Sequence, residues 1–198
     1  PYQPRRTPRS EFAGVRGLRY HLHVWGEDSM ASAERPPLVL LHGWMDVGAS
    51  FQFVVDALAE PRLVVAPDWR GFGRSGWNPQ GYWFPDYFAD LDAMLEWLAP
   101  ATPVDLVGHS MGGNVAMIYA GLRPGRVRRL VTLEGFGLPG APPELAPGRY
   151  RDWLDQWRDP EPAAAFPSLD VFAGVLRKRN PRLSAERALE FVEKGSVV

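Results

Sequence analysis

The sequence predicts an α/β fold: a mostly parallel sheet with a helical segment after it. Three observations carry this. Four short apolar runs show no alternation: Leu38–Leu41, Leu63–Ala66, Val104–Val107 and Leu130–Leu133. Strands buried on both faces read this way, as in a parallel sheet covered by helices. Helical patterns lie between the runs, which implies right-handed β-α-β crossovers. After Gly137 the character changes to short helical stretches broken by prolines, with no strand pattern.

Taken in order, Ser10–Gly14 and Leu18–Trp25 read as an antiparallel hairpin. Leu18, Tyr20, Leu22 and Val24 alternate with Arg19, His21, His23 and Trp25, the period of a half-exposed strand. His21 and His23 are therefore expected in solvent. A polar loop follows, then the first buried run. Residues 50–59 carry a helical pattern. The helix from Phe84 places Phe84, Phe88, Leu91, Leu95 and Leu98 on one face, with Asp86, Asp90, Asp92 and Glu96 pointing away. Met111–Leu122 is the third helix of this part. Further helices are expected over Arg151–Arg158, with Trp153, Leu154 and Trp157 as its apolar stripe, over 169–178 and over 185–194. Ser168 and Ser184 stand where N-caps belong. The tail Lys194–Val198 shows neither helical nor strand logic. The division expected is a core over 1–138 and a helical lid over 139–198.

Composition narrows the function. Lys and Arg total 22 against 23 Asp and Glu, a net charge of −1, so nothing favours a polyanion such as nucleic acid. There is no cysteine, which removes disulfides, thiolate nucleophiles and thiolate metal sites and fits a cytoplasmic protein. No window approaches the roughly 18 apolar residues of a membrane span, and the polar first ten residues lack the core of a secretory signal. Neither a cofactor nor a metal is expected.

Chemistry concentrates at Gly108-His109-Ser110-Met111-Gly112. This G-x-S-x-G follows directly on a buried strand and opens a helix, the setting of a nucleophile elbow. Ser110 is the expected nucleophile. The flanking glycines let strand and helix pass closely, and the hydroxyl sits at the positive end of a helix. His42-Gly43-Trp44 ends the first buried strand. The backbone amides of Trp44 and Met111 are expected to converge as an oxyanion hole. His42 precedes the nucleophile at a strand end and is expected to hold loops rather than act as base. His109 is expected to point away from Ser110. The aromatics Trp44, Phe51, Trp83, Phe136, Trp153 and Trp157 either line an apolar acyl pocket or belong to the core. His42, Gly43, His109, Phe136 and Trp153 are the residues expected around the substrate. Gly71–Gly76 also spells G-x-G-x-x-G, but it stands off from its strand, and Trp77-Asn78-Pro79 follow where a helix must open for a dinucleotide.

His42-Gly43-Trp44, Pro67-Asp68-Trp69-Arg70-Gly71-Phe72-Gly73-Arg74-Ser75 and Gly108-His109-Ser110-Met111-Gly112-Gly113 together resemble the α/β-hydrolase superfamily. The chain looks most like serine hydrolases with a helical cap, such as carboxylesterases and carbon–carbon bond hydrolases. The resemblance covers 10–138 well and 139–198 more loosely. It implies a Ser–His–acid triad and a small ester or acyl substrate. Ser at 110 sets the chain apart from the branches that carry Asp there. Asp68 is implied to brace its loop through backbone and Arg hydrogen bonds rather than to join the triad. The family order is Ser, acid, His, yet no histidine follows His109. Glu134 is either the acid or a brace for the lid. About six of eight strands are recognisable, and on the order of 80 residues are wanting relative to that family. A truncated chain with an incomplete triad is the expectation. A non-catalytic binding module, or an acyltransferase or perhydrolase on the same scaffold, are the alternatives.

Overall fold

The computed structural model describes residues 2–137, 140–159 and 166–195. Six strands form one sheet: β1 (Arg9–Val15), β2 (Leu18–Trp25), β3 (Leu38–Leu41), β4 (Val64–Pro67), β5 (Val104–His109) and β6 (Val127–Leu133). Their order is β1-β2-β4-β3-β5-β6. The hairpin joins the sheet antiparallel, and β4, β3, β5 and β6 run parallel. The expected class, a mostly parallel α/β sheet, is what the chain adopts.

Helices cover both faces. Val39, Leu41 and Val65 face one layer, where Leu91, Met94 and Leu95 of α2 (Phe84–Leu98) and Val115, Ala116 and Tyr119 of α3 (Met111–Leu122) close the core. Leu38, Leu40, Val64 and Ala66 face the other, against Trp25, Phe51 and Val55. Val55 belongs to α1 (Gln52–Ala57), a short helix entered through a 3₁₀ turn at Gly48–Phe51. This two-sided burial is the reason the strand runs lack alternation.

Two sequence expectations fail for the same reason. From Tyr20 onward β2 is covered on both faces, so His21 is buried and His23 half-buried, not solvated. The second face is closed by residues 48–52 and 68–75, elements distant in sequence. Asp90 does not point away from α2's buried face; it is fully buried. Arg70 grips it with two bonds, Nε to Oδ2 at 2.5 Å and Nη2 to Oδ1 at 2.6 Å, and the Tyr20 hydroxyl donates to it as well. A buried carboxylate persists only when paired in this way.

After β6 come α4 (Ala146–Arg158), α5 (Leu169–Arg179) and α6 (Ala185–Gly195). Helix α4 starts five residues before the expected Arg151. The Ser168 hydroxyl accepts from the Val171 amide at 3.3 Å and the Ser184 hydroxyl from the Arg187 amide at 3.2 Å, the expected N-caps. Lys194 and Gly195 belong to α6, against the expectation of no helical logic; 196–198 lie outside the described residues. Helices α5 and α6 share a small core of Ala173, Ala188 and Val192. The Arg187 guanidinium lies 5.1 Å from the Phe53 ring centroid, which ties α6 to α1. The expected boundary at 138–139 lies outside the described residues.

Candidate active site

Strand β5 ends at His109, α3 begins at Met111, and Ser110 is the single residue between them. Its backbone has φ 50° and ψ −114°, a conformation L residues rarely hold without strain. Two hydrogen bonds fix it. The Ser110 amide donates to Leu133 O at 2.8 Å, and Ser110 O accepts from the Asn114 amide at 3.0 Å. The glycines are required by contact. A Cβ on Gly112 would lie 2.2 Å from Leu41 O, and one on Gly108 would lie 2.3 Å from Gly112 O. The ends of β3 and β5 and the start of α3 thus meet with backbone against backbone.

Gly43 brings the loop after β3 against this turn. A Cβ there would sit 3.2 Å from Ser110 Cβ. Neither the Trp44 nor the Met111 amide has an acceptor among the described residues. The next residue, Met45, carries a positive φ of 56°.

His42 is fully buried and does not touch the cavity beside Ser110, contrary to the expected pocket role. Its Nε2 accepts from the Trp69 amide at 2.9 Å, so Nδ1 carries the hydrogen that it donates to Gly43 O at 2.8 Å. Burial pushes its pKa down to about 4, against the opposing pull of the Gly43 carbonyl and Asp68. The ring is a neutral loop fastener, as its strand-end position suggests. His109 is partly exposed, with Nε2 3.8 Å from the Glu134 carboxylate and Nδ1 4.0 Å from that of Asp46. Burial raises the pKa of Asp46, while hydrogen bonds from the Val47 amide and Ser50 hold it back. Glu134 follows β6 with a φ of 59° and a largely exposed side chain.

A cavity of about 410 Å³ opens at Ser110, lined by Trp44, Tyr82, Phe84, Tyr87, Met111 and Asn114. Only Trp44 and Met111 of these belong to the expected site. Gly43 and His109 flank the elbow without lining the cavity. Phe136, Trp153, Trp157 and Trp83 are exposed and do not line it either, while Phe51 is core. The lining of this cavity is signalled in the sequence by the cluster Tyr82-Trp83-Phe84 with Tyr87 one turn on, of which Tyr82, Phe84 and Tyr87 line it. Asn114 had no such signal; its side chain accepts from the Gly137 amide at 2.9 Å and holds the loop after β6.

Asp68 is braced differently from expectation. It accepts from the Arg74 amide at 3.0 Å and the Gly48 amide at 2.8 Å, but its other partners are His21 at 2.7 Å and His23 at 3.3 Å, not an Arg side chain. Burial alone would raise its pKa; the hydrogen bonds from His21 and His23 overcome this and hold the carboxyl well below the usual range. With His21 and His23 it also forms a set of three groups with metal-ligating atoms within 4.8 Å of one another. All these atoms are already hydrogen-bonded within the fold.

The family model for the alpha/beta hydrolase fold matches residues 36–177. This chain belongs to that family. It is 37 % identical over 116 residues to a serine hydrolase-like protein of Danio rerio, across 58 % of this chain and 34 % of that one. It is 37 % identical over 137 residues to the 3-hydroxybutyrate-oligomer hydrolase of Cupriavidus necator, across 68 % and 42 %. The thioesterase domain of the curacin biosynthetic pathway superposes with a TM-score of 0.79 at 29 % identity, covering 95 % of this chain and 67 % of that domain. The chain therefore spans about a third to two-fifths of the length of these two curated relatives. Among the described residues no helix is long and apolar enough to cross a membrane.

Proposed function

We propose that Ser110 is the nucleophile of a serine hydrolase that cleaves ester or related acyl bonds through an acyl-enzyme. The strained backbone of Ser110 carries this reading. Strain of this kind persists only where the surroundings over-determine it, and here four backbone segments do so around a hydroxyl that opens on a cavity. The relatives' names, serine hydrolase-like protein and 3-hydroxybutyrate-oligomer hydrolase, support the same class.

In the proposed reaction the Ser110 hydroxyl attacks the substrate carbonyl. The amides of Trp44 and Met111 receive the developing oxyanion; neither has an acceptor among the described residues, and both flank the elbow. Such donors contribute about 10²–10³ in rate each. The aromatic lining formed by Trp44, Tyr82, Phe84 and Tyr87 suits an apolar acyl or leaving group. Helices α4–α6 are assigned to the lid, although none of their described residues lines this cavity. Glu134 supplies the acid, from the end of the strand beside the elbow.

The base is the step this chain leaves open. His42 is locked and neutral, and the His109 nitrogens lie within 4.0 Å of the Asp46 and Glu134 carboxylates. A serine without a base is a poor nucleophile at neutral pH. The test uses added imidazole as the base. Hydrolysis of a p-nitrophenyl ester by the 198-residue chain is expected to rise with imidazole beyond the imidazole-only rate, and Ser110→Ala is expected to abolish the excess. An excess unchanged in Ser110→Ala removes Ser110 from the mechanism.

A further inference from the structure

We propose that Ser10, His21 and Asp68 form a second nucleophilic site, separate from Ser110, that accepts the acyl group of small activated esters. Ser10 Oγ lies 2.6 Å from His21 Nε2, and His21 Nδ1 lies 2.7 Å from Asp68 Oδ2. A nucleophile, a base and an orienting carboxylate in this relation are recognised by geometry and roles, not by sequence order.

The protons can be placed. Asp68 is ionised and can only accept, so the His21 Nδ1 hydrogen points to it. In the neutral imidazole this leaves the Nε2 lone pair for the Ser10 hydroxyl. The polarity is the one general-base catalysis needs. Arg74 completes the arrangement. Its Nη1 donates to Ser10 Oγ at 3.0 Å, which puts a permanent positive charge beside the attacking oxygen and beside a carbonyl oxygen brought to it.

The site is open on one side and fixed on the other. Ser10 is exposed, whereas His21 and Asp68 are buried. The His21 ring is wedged between Phe12, with centroids 5.0 Å apart, and His23, at 4.4 Å. A cavity of about 240 Å³ is lined by Ser10, His21, His23, Gln52 and Arg74. This falls below the roughly 300–1,000 Å³ of ordinary ligand pockets, so acyl groups of a few carbons are the class it takes.

In the proposed step Ser10 Oγ bonds to the carbonyl carbon while its proton passes to His21 Nε2. The carbon–oxygen bond to the leaving alcohol then breaks, and His21 returns the proton to that oxygen. The products are acyl-Ser10 and the free alcohol. With a fluorophosphonate the oxygen bonds to phosphorus, and fluoride leaves with the proton.

The experiment is fluorophosphonate labelling of the 198-residue chain, followed by digestion and mass mapping of the modified serine. Modification of Ser10 is expected in the native chain and equally in Ser110→Ala, which separates this site from the one proposed above. Ser10→Ala is expected to remove that peptide's label and leave Ser110's reactivity unchanged. His21→Gln is expected to slow Ser10 labelling by about 100-fold or more, the usual contribution of a general base. Should His21→Gln fail to fold by circular dichroism, Arg74→Met, at an exposed side chain, replaces it with an expected slowing of about ten-fold. An unmodified Ser10 overturns the proposal. So does labelling of Ser10 at the native rate in the folded His21→Gln chain or in its Arg74→Met replacement.

Discussion

Two serines divide between them what a serine hydrolase needs in one place. Ser110 has the elbow: a strained backbone, glycines on both sides and a helix start, with the Trp44 and Met111 amides free of acceptors among the described residues. Among the described residues no hydrogen bond joins its hydroxyl to an imidazole. Ser10 sits in an ordinary strand, with no strain and no elbow, yet has an imidazole at 2.6 Å that is backed by a carboxylate. The contrast separates two contributions that are usually measured together. Backbone geometry places and stabilises an oxyanion, and side chains move the proton. Each region supplies one without the whole of the other.

The largest effect that tests this contrast is on turnover. The chain as it stands is expected to hydrolyse p-nitrophenyl esters at Ser110 about 10⁴–10⁶-fold more slowly than a complete triad does, because loss of the base leaves only binding and oxyanion stabilisation. Steady-state rates of the native chain, Ser110→Ala and Ser10→Ala give the partition. A Ser110-dependent rate in the ordinary enzyme range breaks the comparison, since a base for Ser110 would then exist within the 198 residues.

The two regions also differ in what holds them, and stability measures this. Around Ser110 backbone touches backbone. Gly112→Ala would place a methyl 2.2 Å from Leu41 O, with no flexible side chain to yield. A loss of about 3 kcal/mol or more is expected in urea denaturation. Gly14, in β1 near Ser10, has nothing within 4 Å of an added Cβ, and Gly14→Ala is expected to change stability by about 0.5 kcal/mol or less. Equal costs at the two positions would mean the elbow is not closed by backbone contact.

The same division explains what was legible in the sequence. The elbow is local: strand, Ser110 and helix are contiguous, so period and motif sufficed. The parallel runs were legible because two-sided burial leaves its mark in each strand. The Ser10–His21–Asp68 array spans separations of 11 and 47 residues, and no local pattern reports it. Alternation along β2 even pointed the other way, because it cannot tell a solvated face from one covered by a distant loop. Asp90 failed likewise: its partner Arg70 lies 20 residues away. Trp153 and Phe136 were misplaced because an apolar side chain announces a buried partner without saying which, and here both remain exposed.

A smaller effect concerns His42, the buried imidazole just after β3, which does not serve the elbow. Burial holds its pKa near 4 against an ordinary 6.5. A histidine depressed in the fold stabilises the fold fully above its unfolded pKa. That contribution drains away as pH falls from 6.5 to 4, by about 3 kcal/mol in all. Asp68 is depressed too, but its contribution is lost below the ordinary 3.8, a separate window. The urea midpoint followed from pH 7 to pH 4 should fall more steeply for the native chain than for His42→Gln. Parallel profiles would show that His42 is not held neutral, and a role for it as base at Ser110 would reopen.

The smallest expected effect bears most directly on strain. At φ 50° and ψ −114° a side chain is penalised, and glycine is not. Strain at such a position is worth about 1–3 kcal/mol, while glycine costs about 0.5–1 kcal/mol in the entropy of the unfolded chain. Ser110→Gly is therefore expected to stabilise the protein, by about 1 kcal/mol. Ser10→Gly, in an extended strand, carries the entropy cost with no strain to relieve. It also removes the hydrogen bonds to His21 and Arg74, so a loss of about 1–2 kcal/mol is expected. Opposite signs for the same substitution would show that one serine is held against its preference and the other is not. Destabilisation by Ser110→Gly would mean that the hydroxyl holds the elbow together, and the strain argument for a nucleophile at 110 would lose its physical basis.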